Sequence, residues 1–433
     1  MADINRETRK QELRRRVVDA DALRRNESGA DSTADGTGGR TKPVRRMPRA
    51  LLIVLIILLL LAAGGGIFLL LRRQFRGFSV NWKVDFTQAE GAVESDYEDY
   101  EIYSDGFVKV TRDGASYINS SGKTVWNQSY EMNKPYVAVN GDFCAIADQG
   151  KTGIYIMGAN GTTGQAETSL PITKITVSRT GVVYALLEDS DASYITVFTK
   201  EGKALDISIK SILNGDGYPV DLSVSPDGTE LITSFAYIKS GTLQNKVIFY
   251  NLDEVGKNAG TNRVVGGFDE DFKGVLAGRV HFSDDTHAQA FYNGGIAFFS
   301  TKVLTSPELT ANVAVQDTFR SIAYSGDYVG IVTDNTGGDS GQPYKLMVFR
   351  LNGQKVFEKP FQFNYSGFDI DRQKIILYND TSMQVYDGSG NLKYSGKIDT
   401  SITRARVSGT FSSVFGLNML VGSSGAVESI KLK

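Results

Sequence analysis

The chain has 433 residues with 47 Lys+Arg, 49 Asp+Glu and one cysteine. Its length suffices for a full apolar core, and a lone cysteine excludes an intramolecular disulfide framework. The net charge of −2 conceals a split, because residues 1–49 carry 13 basic and 8 acidic side chains while 74–433 carry 32 and 41. The acidic bulk excludes nucleic acid as its partner, since phosphate binding needs a basic surface.

Residues 1–49 read as a basic, largely disordered tail. Arginine clusters at 14–16 and 24–25 are followed by a Gly/Ser/Thr/Asp-rich linker over 26–42. Residues 50–71 are an uncharged run dominated by Leu and Ile. At about 1.5 Å per residue, a helix of this length matches the roughly 30 Å apolar core of a bilayer. Arg45, Arg46 and Arg49 flank it on one side, Arg72 and Arg73 on the other. Further upstream cations bias the N-terminus to the cytoplasm and the long acidic region to the outside. A cleavable signal would end near 61–64, but the run resumes through Ile67 and Leu71, so the expectation is an uncleaved single-pass anchor in a cell membrane, in contact with lipid. Ala62 and Gly66 form a small-x-x-x-small pair suited to a weak homodimer through this helix.

After a short linker at 72–77, residues 78–433 are repetitive. One unit is an apolar or aromatic pair, a polar stretch, then a turn ahead of another apolar strand. Its turns fall at Gly122, Gly161, Gly202, Asp253, Lys302, Gly353 and Gly390. A second turn precedes each unit, at Gly106, Gly141, Gly181, Gly228, Asp285, Gly326, Asp371 and Gly409. Two hairpins every 40–50 residues is the period of a β-propeller blade. There are eight first turns but seven second ones, and the last unit, from about Arg404 to Leu432, ends after three strands. The extra strand from Phe78 to Phe86 resembles the fourth-strand text Thr124-Val-Trp-Asn-Gln. Its insertion into the last blade would close the ring and remove two exposed sheet edges. The expectation is an all-β, eight-bladed β-propeller closed by an N-terminal strand and preceded by one transmembrane helix. The alternative is seven blades, because 261–310 is weakly patterned.

The stretch Ser225-Pro-Asp-Gly228 resembles WD40-like and TolB-like repeats, and Gly122-Lys-Thr-Val-Trp126 resembles quinoprotein-like repeats. Residues 78–433 as a whole are similar to bacterial single-pass membrane-anchored β-propellers of a domain-of-unknown-function family. That resemblance implies the fold and leaves the function open. The Trp-Asp ending of WD40 blades is missing, and the quinoprotein-like tryptophan stands at Trp126 and, in the closing strand, at Trp82.

No residue is assigned a catalytic, cofactor-binding or metal-binding role. His281 and His287 lie across a turn and read as a strand and a turn histidine, because a metal or nucleophile site needs more converging ligands. Cys144 lies in an apolar run and reads as a small buried hydrophobe. The acidic run from Glu94 to Glu101 reads as a solvated segment, and Asp387-Gly-Ser-Gly-Asn391 as a hairpin. Tyr97, Tyr100, Tyr103, Tyr117, Tyr130 and Tyr136 read as strand packing. The expected function is a membrane-anchored extracytoplasmic binding or scaffolding module that presents its propeller to an envelope protein or glycan. The alternative is a membrane-tethered propeller enzyme, hydrolytic or quinone-linked. A six-residue linker reaches about 20 Å, which would turn one rim toward lipid and leave the opposite rim for the partner.

Overall fold

A computed structural model describes residues 49–86, 97–338, 341–409 and 416–433. The chain divides into two units, Met1–Gly65 and Gly66–Lys433. Arg45, Arg46, Glu94 and Asp96 lie outside the described residues. The apolar run is helical: α1 spans Arg49–Arg72, so two of the flanking arginines begin and end it and Arg73 follows. Side chains along α1 are described for 53–62, 64–66 and 72. Over described residues alone, no helix is long and apolar enough to cross a membrane.

Among the described residues, the second unit holds thirty-two strands, numbered β1–β32 in chain order, arranged as eight four-stranded antiparallel sheets. Seven sheets each use four consecutive strands. The eighth is ordered β1-β32-β31-β30 and unites Phe78–Asp85 with Ala426–Leu432, Leu417–Ser423 and Arg404–Val407. The protein is therefore an eight-bladed β-propeller closed by its first strand, and the seven-bladed alternative falls. β1 pairs with β32 from Phe78 opposite Leu432 to Asp85 opposite Ala426.

The weak patterning of 261–310 has local causes. The twelve-residue link between the third and fourth strands of blade 4 carries a short helix, α2 (Glu254–Ala259), where the other continuous blades have links of two to seven residues. The strand after it, β17 (Val264–Phe268), contains two adjacent glycines, and a single 3-10 turn at Glu270–Phe272 precedes blade 5. These interruptions dilute the alternation of apolar and polar residues without removing a strand.

Apolar side chains collect between blades, with one buried cluster for each of the eight blade interfaces. Alternation along a strand sends successive side chains to the two neighbouring blades, so both sheet faces are covered. Cys144 is buried in the cluster between blades 1 and 2, and burial pushes its thiol up. Tyr103, Tyr117 and Tyr130 pack in the same cluster, and Tyr100 packs at the seam. Among the described residues, the seam between blades 8 and 1 has the smallest cluster, built on Tyr100, Phe107, Ile118, Leu420 and Val427.

The turn glycines also bind blade to blade. Gly122 has φ +83, and a Cβ there would stand 2.9 Å from Cε3 of Trp82 in the closing strand. Gly202, also at φ +83, has no room either, because its Cβ would fall 1.8 Å from the Gln165 carbonyl oxygen of the preceding blade. Each turn needs the left-handed conformation that glycine adopts without strain, and each lies flat on the neighbouring outer strand. Trp126 receives Gly161 as Trp82 receives Gly122. The quinoprotein-like tryptophans are thus seats for a neighbouring blade's turn.

Candidate functional site

The first strand of each blade faces the axis. Together, β2 (Glu98–Tyr103), β6 (Pro135–Asn140), β10 (Ile172–Val177), β14 (Tyr218–Val224), β18 (Ala277–Phe282), β22 (Phe319–Tyr324), β26 (Gly367–Asp371) and β30 enclose a central channel of about 660 Å³. Every one of these strands sends a core residue back against the preceding blade. The residues just before those core positions are, in blade order, Glu101, Tyr136, Lys174, Asp221, Arg279, Ser321, Asp369 and Arg404. In β10, β14, β18 and β22 a register shift directly precedes this position. Such bulges re-aim a side chain, here at the same level in four consecutive blades.

The ring's six charges alternate in sign and fall into two arcs. In one, Lys174 Nζ lies 2.5 Å from Asp221 Oδ1, while Arg279 Nε lies 3.8 Å from Asp221 Oδ2. The same Oδ2 accepts the Val280 N–H at 2.9 Å. In the other arc, Arg404 pairs with Glu101 and places Nη1 3.3 Å from Asp369 Oδ1. Tyr378 donates its hydroxyl to Asp369 Oδ2 at 2.8 Å. Tyr136 and Ser321 separate the arcs. Burial raises the Glu101 and Asp369 carboxyls, and Arg404 opposes that rise in both.

Next to the first arc, Arg279 donates to the Tyr324 hydroxyl at 2.8 Å. The Tyr324 ring stacks on His281 with centroids 3.5 Å apart. Burial, with a smaller push from Arg279, lowers the His281 imidazole to about 3, so it is neutral at physiological pH. His287, expected on the turn, instead begins β19 (His287–Tyr292), with Nδ1 2.9 Å from both oxygens of Asp284 in the turn. The two histidines do not converge, and among the described residues no group of three His, Cys, Asp or Glu is placed to hold a metal. Glu230 is fully buried behind the Ser225-Pro-Asp-Gly228 turn, and burial raises it to about 7. Asp387 accepts from the backbone of Ser389 and Asn391, which makes 387–391 a hairpin turn.

The channel chemistry is self-contained. Its carboxylates are the place where an acid–base pair from separate blades would assemble, yet Glu101, Asp221 and Asp369 are each ion-paired with an arginine or lysine of an adjacent blade. An alternating ring of this kind ties neighbouring blades together. Sequence reading missed it because its members come from different blades, with the closing pair, Glu101 and Arg404, 303 residues apart. The signal was nonetheless present as a polar residue directly before the core position of every first strand.

The two rims differ. The first-to-second and third-to-fourth strand turns lie on one rim. The chain enters there too: Phe75 bridges to Tyr394 of β29 (Leu392–Lys397), and the Arg76 and Gly77 N–H groups donate to the Lys433 carbonyl. On this tether rim the described turns hold nine acidic and eight basic residues, and Arg73, Arg76 and Lys433 add three more cations. The far rim carries the second-to-third turns and the links between blades. Its described loops hold eleven acidic and four basic residues. The excess negative charge of the propeller loops therefore lies on the far rim.

A closed eight-bladed β-propeller, entered by its chain at one rim, is the class these features define. The chain belongs to DUF5711, a family of unknown function, whose sequence profile matches residues 71–432. No curated protein matches the sequence. Similar solved structures include the Dos1 propeller, at 10% identity over 82% of this chain and 95% of that one, with a TM-score of 0.48. Apo AztD from Citrobacter koseri is similar at 10% identity, over 70% and 87%, with a TM-score of 0.49. Chaetomium thermophilum Sqt1, bound to the N-terminus of ribosomal protein L10, is similar at 12% identity over 77% and 92%, with a TM-score of 0.47. The blade count rests on the sheets of this chain alone.

Proposed function

We propose that this chain is a single-pass membrane protein with a cytoplasmic N-terminus, whose propeller lies outside the membrane and binds or scaffolds an envelope protein or glycan. The observation that carries the binding reading is the channel ring, in which the charged groups are engaged with one another across blades. A binding propeller uses its rims, and a neutralised channel leaves them as the working surfaces. The anchor reading rests on the uncharged run under α1 and on its arginine flanks. The basic tail would lie at the anionic cytoplasmic leaflet, and Ala62 with Gly66 would support a weak helix-to-helix dimer.

The lone cysteine makes the topology testable. Cys144 is fully buried and should resist labelling. In intact cells, a membrane-impermeant maleimide should label a Thr242→Cys variant, at an exposed turn, and should spare a Ser28→Cys variant until the membrane is permeabilised. Labelling of Ser28→Cys alone in intact cells would reverse the proposed orientation.

A further inference from the structure

On the far rim, blade 4 is built differently from the rest. β15 (Glu230–Lys239) and β16 (Thr242–Asn251) are ten residues each, where the second and third strands of other blades run five to seven. The extra length projects as a hairpin. Its tip is a cross-strand pair, Ile238 opposite Leu243, exposed by 74% and 53%. A buried network fixes the base. Asn245 donates to the Ser234 hydroxyl at 3.1 Å and to the Phe235 carbonyl at 2.8 Å, and its side-chain oxygen accepts the Ala277 N–H of blade 5 at 3.2 Å. A hairpin held this firmly does not fold its apolar tip back onto the core.

Further exposed apolar side chains lie in the links that enter and leave blade 4. Leu213, 51% exposed, lies in the link that leads into blade 4. Leu276, 37% exposed, directly precedes Ala277 and lines a groove of about 590 Å³ together with Val315 and Phe319. Large exposed apolar side chains gathered around one blade of a rim point to an interaction site. Around it stand the far-rim carboxylates, with Asp189, Asp191 and Asp216 on one side and Asp269, Glu270 and Asp271 on the other. An apolar centre with a charged border is how a protein interface is laid out. Six carboxylates against Lys239 and Lys273, on a rim whose described loops hold eleven acidic and four basic residues, make this border complementary to a cationic partner. They also disfavour a second copy, because an isologous rim-to-rim contact would oppose two negative faces.

We propose that the blade 4 hairpin and the adjoining groove dock a protein segment that carries an apolar anchor side chain flanked by lysines or arginines. This rests on the binding-module reading above and names its partner's chemistry. The test uses full-length protein in lipid nanodiscs, probed with a displayed library of random dodecapeptides. Enriched peptides should combine Leu or aromatic residues with Lys or Arg, and raising the salt to about 0.5 M should weaken them. Their affinity should fall about tenfold for Ile238→Ser with Leu243→Ser, and about tenfold for Asp191→Asn with Glu270→Gln and Asp271→Asn. Both sets replace exposed side chains, so folding should be retained. Enrichment of acidic or uncharged peptides, or binders indifferent to both sets, would overturn the proposal. Association of full-length copies that disappears in the hairpin variant would overturn it as well. Binders that map to the tether rim or the channel would sink this inference and leave the binding-module reading intact. No binder of any kind, together with substrate turnover lost in a channel variant, would sink both.

Discussion

Replacing Arg404 by alanine is expected to destabilise the propeller by about 3 kcal/mol, the lower end of what removing one member of a buried ion pair costs. Arg404 joins three consecutive blades by holding Glu101 of blade 1 and Asp369 of blade 7. Its side chain is 29% exposed, so solvent takes part of the effect. Without it, two partly buried carboxylates face each other with no cation between them. The loss should depend on pH. Burial already raises both carboxyls above their ordinary range, and removing the arginine raises them further. A raised carboxyl pKa means the folded state binds protons more tightly than the unfolded chain. The penalty is therefore absent below the unfolded pKa and grows as pH rises through the folded one. The deficit in thermal stability should be largest near pH 8 and shrink toward pH 4. Converting all three residues to apolar side chains of similar volume should recover most of the loss. An Arg404→Ala variant as stable as the parent at pH 8 would show that the ring does not tie the blades.

The second large effect concerns closure. Replacing 78–86 by a flexible Gly/Ser segment of equal length should strip blade 8 of its outer strand. The seam is the interface least able to absorb this, because its apolar cluster is the smallest of the eight. Polar links supply part of what apolar area does not. Arg406 donates to the carbonyls of Ser104 and Gly106 at 2.9 and 2.8 Å, and the Gly425 N–H donates to Glu98. β1 contributes Trp82 to the same interface, as well as its ladder with β32. Losing a paired strand and a half-buried tryptophan removes about 5 kcal/mol or more, which approaches the whole net stability of a typical domain. The exposed edge of β32 should then drive self-association beyond that of the parent chain. Adding a peptide of the 78–86 sequence should restore thermal stability, while the same peptide with Trp82→Ala should restore less. A replaced chain that melts within about 2 °C of the parent would refute closure by β1.

The blade count could be read from the sequence because turns are local. A left-handed glycine and its flanking apolar pairs lie within ten residues of each other, so eight first turns and seven second turns are visible without any tertiary information. The missing eighth turn located the closing strand, and the pairing of Phe78 with Leu432 follows that reading. The end of blade 4 was harder to see, because α2 and the Gly266-Gly267 pair interrupt the pattern on which the count depends. The channel ring was not read. Lys174 and Asp221, or Glu101 and Arg404, are brought together only by closure of the ring, and no local period links them. The far-rim hairpin shows the same limit: Ile238 and Leu243 look like ordinary strand residues until strand length places them beyond the blade. The apolar run at 50–71 is the reverse case, since its composition alone suggested a helix and α1 forms there.

As proposed above, this propeller works through its far rim. A photo-crosslinking side chain placed in the full-length protein at Leu243 on the far rim, at Val303 on the tether rim or at Ala138 in the channel tests that claim directly. Leu243 and Val303 are exposed by 53% and 52%, so accessibility alone does not favour either. Illumination in living cells should yield a discrete covalent adduct from Leu243 and none from the other two positions. Adducts from Val303 or Ala138, with Leu243 silent, would contradict it.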